Sequence, residues 1–125
     1  MREVPIHDST FPDSEFQFGP DAVLLRPEGP GIDARRASKI VAAVREELAG
    51  RRQPAKRLLV DLSDVLIPSS MAIGMILELS RLANEVGATC HLTAQQRFRE
   101  VLQMLRLDDR YTMESSARRL EDLLR

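Results

Sequence analysis

Two adjacent hydroxyls, Ser69 and Ser70, directly follow Pro68 and directly precede an apolar periodic run, the placement in this chain most able to do chemistry. Proline discourages helix in the residue before it and cannot continue a strand inside a sheet, so a helix is predicted to begin just after Pro68. A serine at that start can cap free backbone N–H groups. The same tip carries partial positive charge, so it would accommodate a phosphoryl group on Ser70 bringing about −1.5 to −2 charge. Two readings stand side by side: a plain helix cap, and a phosphoacceptor whose modification breaks a partner contact through desolvation and repulsion.

Around these hydroxyls sit residues that would support or read such a change. Asp61 interrupts the apolar run Leu58–Leu62, where a buried charge needs partners, and its carboxylate can accept backbone N–H bonds from the turn Ser63-Asp64. Asp64 reads as a solvated turn residue. Met71, Ile73, Gly74 and Leu77 fall beside the apolar stripe of the following helix and widen it, either as core or as a patch for a protein partner. Gly74 inside a helix costs up to about 1 kcal/mol against Ala, which suits close approach of another chain.

Other chemistries find less support. His7 and His91 are far apart and lack ligand partners at metal spacing, and the single Cys90 forms neither a disulfide nor a metal site by itself. Gly29-Pro30-Gly31 is a turn, because a phosphate loop opens a helix with Lys and Ser or Thr. Arg35-Arg36 and Arg51-Arg52 read as solvated faces. No nucleophile, base and acid trio and no paired carboxylates emerge, so the chain is expected not to be an enzyme and to need no metal or cofactor.

The elements that must position Ser70 follow from periodicity. Glu15–Phe18 alternates, Gly19-Pro20-Asp21 is a turn, and Ala22–Pro27 is a second strand, together an opening hairpin. Asp33 caps a helix striped by Ala37, Ile40, Val41, Val44 and Leu48, which Gly50 ends. Leu58–Leu62 is a buried strand, reached by a crossover that joins parallel strands. Ala72, Met75, Ile76, Leu79, Leu82, Ala83 and Val86 stripe the next helix, and Gly87 stops it. A strand over Ala88–Ala94, a helix over Gln95–Leu107 with Phe98, Val101, Leu102 and Leu105 on one face, a short extended Tyr111–Met113 and a last helix complete the order. Ser115 or Ser116 caps that last helix, whose apolar face is Leu120, Leu123 and Leu124. The fold class is α/β, a small mixed β-sheet of four to five strands with helices packed on it. Residues 1–14 read as an N-terminal arm, with Phe11 as its anchor, ahead of one domain over 15–125.

The strand ending Asp61-Leu62-Ser63, the short loop with Val65, and the serine-containing turn leading into an apolar helix resemble the STAS domain family, as found in bacterial anti-sigma factor antagonists. The family's fullest turn reads Asp-Ser-Ser-Gly-Leu-Gly. Laid without gaps it falls on Ser69-Ser70-Met71-Ala72-Ile73-Gly74, so the phosphorylated position is Ser70. Here Ser69 replaces the acid, Met71 the second serine and Ala72 the first glycine; the acceptor serine and last glycine are kept. The resemblance implies partner switching. When Ser70 is unphosphorylated the chain would bind an anti-sigma factor, a serine kinase with a histidine-kinase-like ATPase fold. Phosphorylation would release it, and a phosphatase would reset it. Partner-binding residues would be Ser69, Ser70, Met71, Ile73, Gly74 and Leu77, supported by Asp61 and Asp64. The alternative keeps the fold and drops the switch, as in a STAS scaffold or regulatory subunit of a stressosome-like or transporter ATPase complex.

Composition agrees with such a module. At 125 residues the chain suits one domain, and 43% apolar with 30% charged residues fits a globular protein. A net charge of −1, from 18 basic and 19 acidic residues, gives no general attraction to nucleic acid or an anionic membrane. No 18-residue apolar run or signal-peptide core occurs, so no membrane insertion and a cytoplasmic location are expected.

Overall fold

The computed structural model describes residues 15–125. The predicted arm over 1–14, with Phe11 and His7, lies outside the described residues. Five strands form one sheet in the order β1 (Phe16–Phe18), β2 (Ala22–Leu25), β3 (Arg57–Leu62), β4 (Thr89–Ala94) and β5 (Thr112–Met113). β1 and β2 are the antiparallel hairpin, and every later neighbour pairs parallel. The sheet is therefore mixed, as the element pattern predicts.

Helices α1 (Ala34–Gly50), α2 (Ser70–Glu85) and α3 (Gln96–Met104) each follow a parallel strand, so all three begin at the edge where β2, β3 and β4 end. Alternation along the strands divides the apolar residues between two faces. Val23, Leu25, Leu58, Val60, Leu62 and Leu92 meet the stripes of α1 and α2 and Phe98 and Leu102 of α3 in the main core. Ala22, Leu24 and Leu59 face the other way and meet Leu120, Leu123 and Leu124 of α4 (Ala117–Leu124). Tyr111 closes one end of the main core, its hydroxyl donating to the Ile76 carbonyl at 2.7 Å.

The helix caps are local and follow from the sequence. Asp33 accepts from the Arg36 amide at 2.8 Å, and Ser116, not Ser115, accepts from the Arg119 amide at 3.3 Å. Gly87, at φ +77°, ends α2 with Ala88 N–H bonded to the Ala83 carbonyl at 2.8 Å. α3 closes by the same geometry earlier than predicted: Arg106 takes φ +59° and Leu107 N–H reaches the Leu102 carbonyl at 2.8 Å. Leu105 is consequently exposed rather than on the apolar face. At the other end of α1, Gly50 stays helical and Arg51 is the cap residue.

Two arginines expected on solvated faces are clamps instead. Arg51 donates to the carbonyls of Gly19, Pro20 and Ala22 and to Glu47, fixing the hairpin turn to the end of α1. Arg36 pairs with the buried Glu15 and donates to the Glu28 carbonyl at 2.6 Å, fixing the start of α1 to the β2–α1 loop.

Candidate functional site

The site is the β3–α2 loop, residues 63–69, with the first turns of α2. It is held from several directions. Asp61, only 5% exposed, accepts from the Ser63 amide at 2.9 Å and from the Ser63 hydroxyl, while its other oxygen accepts from Arg26 Nε at 3.1 Å. The buried charge thus has both a backbone and a cationic partner. Val65 is fully buried beneath the loop, and the amides of Leu66 and Ile67 donate to the Pro30 carbonyl at 2.9 and 3.1 Å. A Cβ added at Gly29 would lie 1.8 Å from the Asp64 carbonyl oxygen, so the β2–α1 loop approaches this closely only because residue 29 is glycine. Asp64 itself is exposed in the turn.

Ser69 is the N-cap of α2, its hydroxyl accepting from the Ala72 amide at 3.2 Å. Ser70 is the first helical residue and is exposed, and no described residue hydrogen-bonds its hydroxyl. The two hydroxyls therefore divide the labour: one satisfies the helix end, the other faces outward at its positive tip. A hydroxyl so placed can accept a phosphoryl group from a donor held by another protein. His91 offers it no internal base, being bonded to Glu114 and Thr89 at 2.8 Å each. Among the described residues no His, Cys, Asp and Glu cluster could hold a metal ion, and no helix is long and apolar enough to cross a membrane.

Beside Ser70 lies a groove of about 540 Å³ between α1 and α2, lined by Ala37, Val41 and Arg45 on one side and Ser70, Met71 and Gly74 on the other. Met71 is 45% exposed, and a Cβ on Gly74 would meet nothing within 4 Å. In the preceding loop Leu66 and Ile67 are also exposed large apolar residues, at 51% and 52%. Sequence reasoning missed this pair, although two large apolar residues in an aperiodic loop beside Pro68 were a usable signal.

Ile73 departs from the expected surface patch. It is 8% exposed and part of the main core, and Leu77 is half-buried against it. At 100° per residue, Ile73 and Leu77 share a flank of α2 with Ser80. That flank packs into the core at Ile73 and Leu77 and lines a depression with Tyr111 at Ser80, whereas Met71 and Gly74 line the groove on the α1 side.

The STAS domain model matches residues 13–119, and the chain belongs to the STAS domain family. Solved structures agree on the fold. The protein TM1081 of Thermotoga maritima superposes with a TM-score of 0.74 at 18% identity, over 99% of this chain and 98% of that one. RsbS of Moorella thermoacetica, carrying a Ser to Glu substitution, gives 0.73 at 19% identity over 87% and 92%. The anti-sigma factor antagonist SpoIIAA in its unphosphorylated form gives 0.67 at 16% identity over 86% and 95%. Its phosphorylated form, from Bacillus, gives 0.66 at 18% identity over 88% and 99%. No curated protein matches the chain.

Proposed function

We propose that this protein is a non-enzymatic anti-sigma factor antagonist that works by partner switching, with Ser70 as the switch. Residues 15–125 form the switching domain, preceded by the arm over 1–14, and the protein acts in the cytoplasm. Unphosphorylated, it docks on an anti-sigma factor that is also a serine kinase of histidine-kinase-like ATPase fold. The kinase transfers the γ-phosphoryl group of its ATP to the Ser70 hydroxyl, whose proton passes to a base on the kinase. A phosphatase reverses the step.

The observation that carries this reading is the exposed Ser70 at the first position of α2, lining the open groove with Met71, with the exposed Leu66 and Ile67 in the loop before it. An apolar surface binds a partner by excluding water, and a dianion placed at its border must keep its water or find cations. The nearest groove cation, Arg45, is paired with Glu78 at 3.6 Å. The dianion therefore opposes docking more than it aids it. SpoIIAA, a structural neighbour solved with and without phosphate, supports a fold that persists through such a modification.

Ser69 in place of the family's acid favours a second reading, a phosphorylation-independent STAS scaffold or regulatory subunit. The test incubates the full chain with its cognate kinase and ATP, maps phosphate by mass spectrometry, and measures kinase affinity of Ser70→Asp and Ser70→Ala. Phosphate on Ser70, with affinity lowered at least tenfold by Ser70→Asp and retained by Ser70→Ala, is expected; tenfold corresponds to about 1.4 kcal/mol. An unmodified Ser70, with equal binding by all three chains, overturns the switch and leaves the scaffold.

A further inference from the structure

Helix α4 lies on the face of the sheet opposite α2, yet an ionic chain on α4's face reaches the loop that leads into α2. β2 and β3 are in register with Leu25 beside Val60, which brings Arg26 next to Asp61. Arg26 Nε donates to Asp61 Oδ2 at 3.1 Å, and a terminal nitrogen of the same guanidinium pairs with Glu121 on α4. Asp61 Oδ1 holds the amide of Ser63, the first residue of the loop that presents Ser69 and Ser70. The Ser63 carbonyl in turn accepts from Gln95 Nε2 at 3.0 Å. One buried carboxylate is thereby shared between the serine loop and the docked position of α4.

We infer that Arg26, Asp61 and Glu121 are positioning residues for the Ser70 loop, and that α4 is a lever acting on it. A buried carboxylate depends on its partners, and Arg26 is fixed in place because Glu121 holds its other end. Release of Glu121 lets the guanidinium swing toward water. Asp61 then loses an ordered cation, and its hold on Ser63 loosens. α4 keeps its seat through Leu120 and through Arg119, 3.5 Å from Glu114, so the lever can relax without the helix unfolding. Coupling of this kind is reciprocal: a partner that grips the serine loop also tightens α4. The exposed side of α4, with Arg118 and Asp122, becomes a second input to the switch. This consequence rests on the reading of Ser70 given above, whereas the coupling does not.

The test is amide hydrogen exchange on the full chain, comparing the natural sequence with Glu121→Gln and Arg26→Lys, and with Asp122→Asn as a control on the same helix. Lysine keeps the charge of residue 26 and lacks the fork that reaches both carboxylates. Both bridge variants are expected to speed exchange at Ser63–Ile67 about three- to fivefold, with α1 and the α4 amides unchanged and the control like the natural chain. Unchanged loop exchange in both bridge variants overturns the inference. So does an equal acceleration throughout the domain, which would mark plain destabilisation. No kinase is present, so this result and the fate of the Ser70 switch are read separately.

Discussion

Ser69 caps α2 with a neutral hydroxyl where the family's fullest turn uses a carboxylate, and both can accept the Ala72 amide. The difference lies in charge, because an acid would also answer the positive helix tip. Ser69→Ala is expected to cost about 1 kcal/mol, read as a lower denaturation midpoint with unchanged denaturant slope. Ser69→Asp is expected to restore that loss. Caps such as Asp33, Ser69 and Ser116 were legible in the sequence because an N-cap needs only an oxygen three residues before its amide. Arg26, Arg36 and Arg51 were not: apart from Glu28 and Glu47, 8 and 4 positions off, their partners lie from 21 to 95 positions away, and only the folded sheet brings them together.

α2 divides its circumference three ways, and the division decides what a partner can touch. One side enters the core, the Ile73 and Leu77 flank packs at its margin, and the Met71 and Gly74 side opens on the groove. Periodicity located the core stripe, but no local rule says which flank of a wide stripe a neighbouring element covers; that depends on the tertiary packing. The same limit applies to α3, where Arg106 occupies a left-handed position that glycine usually marks. Gly74→Ala tests the open side. With nothing within 4 Å of the new methyl, it is expected to stabilise the domain by up to about 1 kcal/mol in thermal unfolding. Kinase affinity should fall in the same variant if the groove is the docking surface, because stability and binding then respond in opposite directions.

Across the whole molecule, parallel pairing of β2, β3 and β4 gathers the starts of α1, α2 and α3 at one edge, and this gathering makes the Ser70 surface. The order of elements in the sequence carried that much, since strand, helix and strand imply parallel neighbours. It did not carry the placement of α4 on the second face. The core also sets the alkaline limit of the fold. Burial pushes the Cys90 thiol up to about 12 from an ordinary 9.0, and burial also raises the Tyr111 phenol. Both groups are held neutral in the folded state. Their contribution is therefore complete below about pH 9 and is lost as pH climbs toward 12, because the unfolded chain releases protons first. Urea midpoints are expected to hold steady between pH 7 and 8.5 and to fall above that, with a shallower fall in Cys90→Ala.

The two outer strands of the sheet, β1 with three residues and β5 with two, offer an incoming chain very little backbone to pair with. Among the described residues, growth by adding strands, a mode that side-chain chemistry can barely interrupt, thus finds little purchase on either border. Association is left to helix and loop surfaces, where a single covalent mark changes far more of what an incoming partner meets.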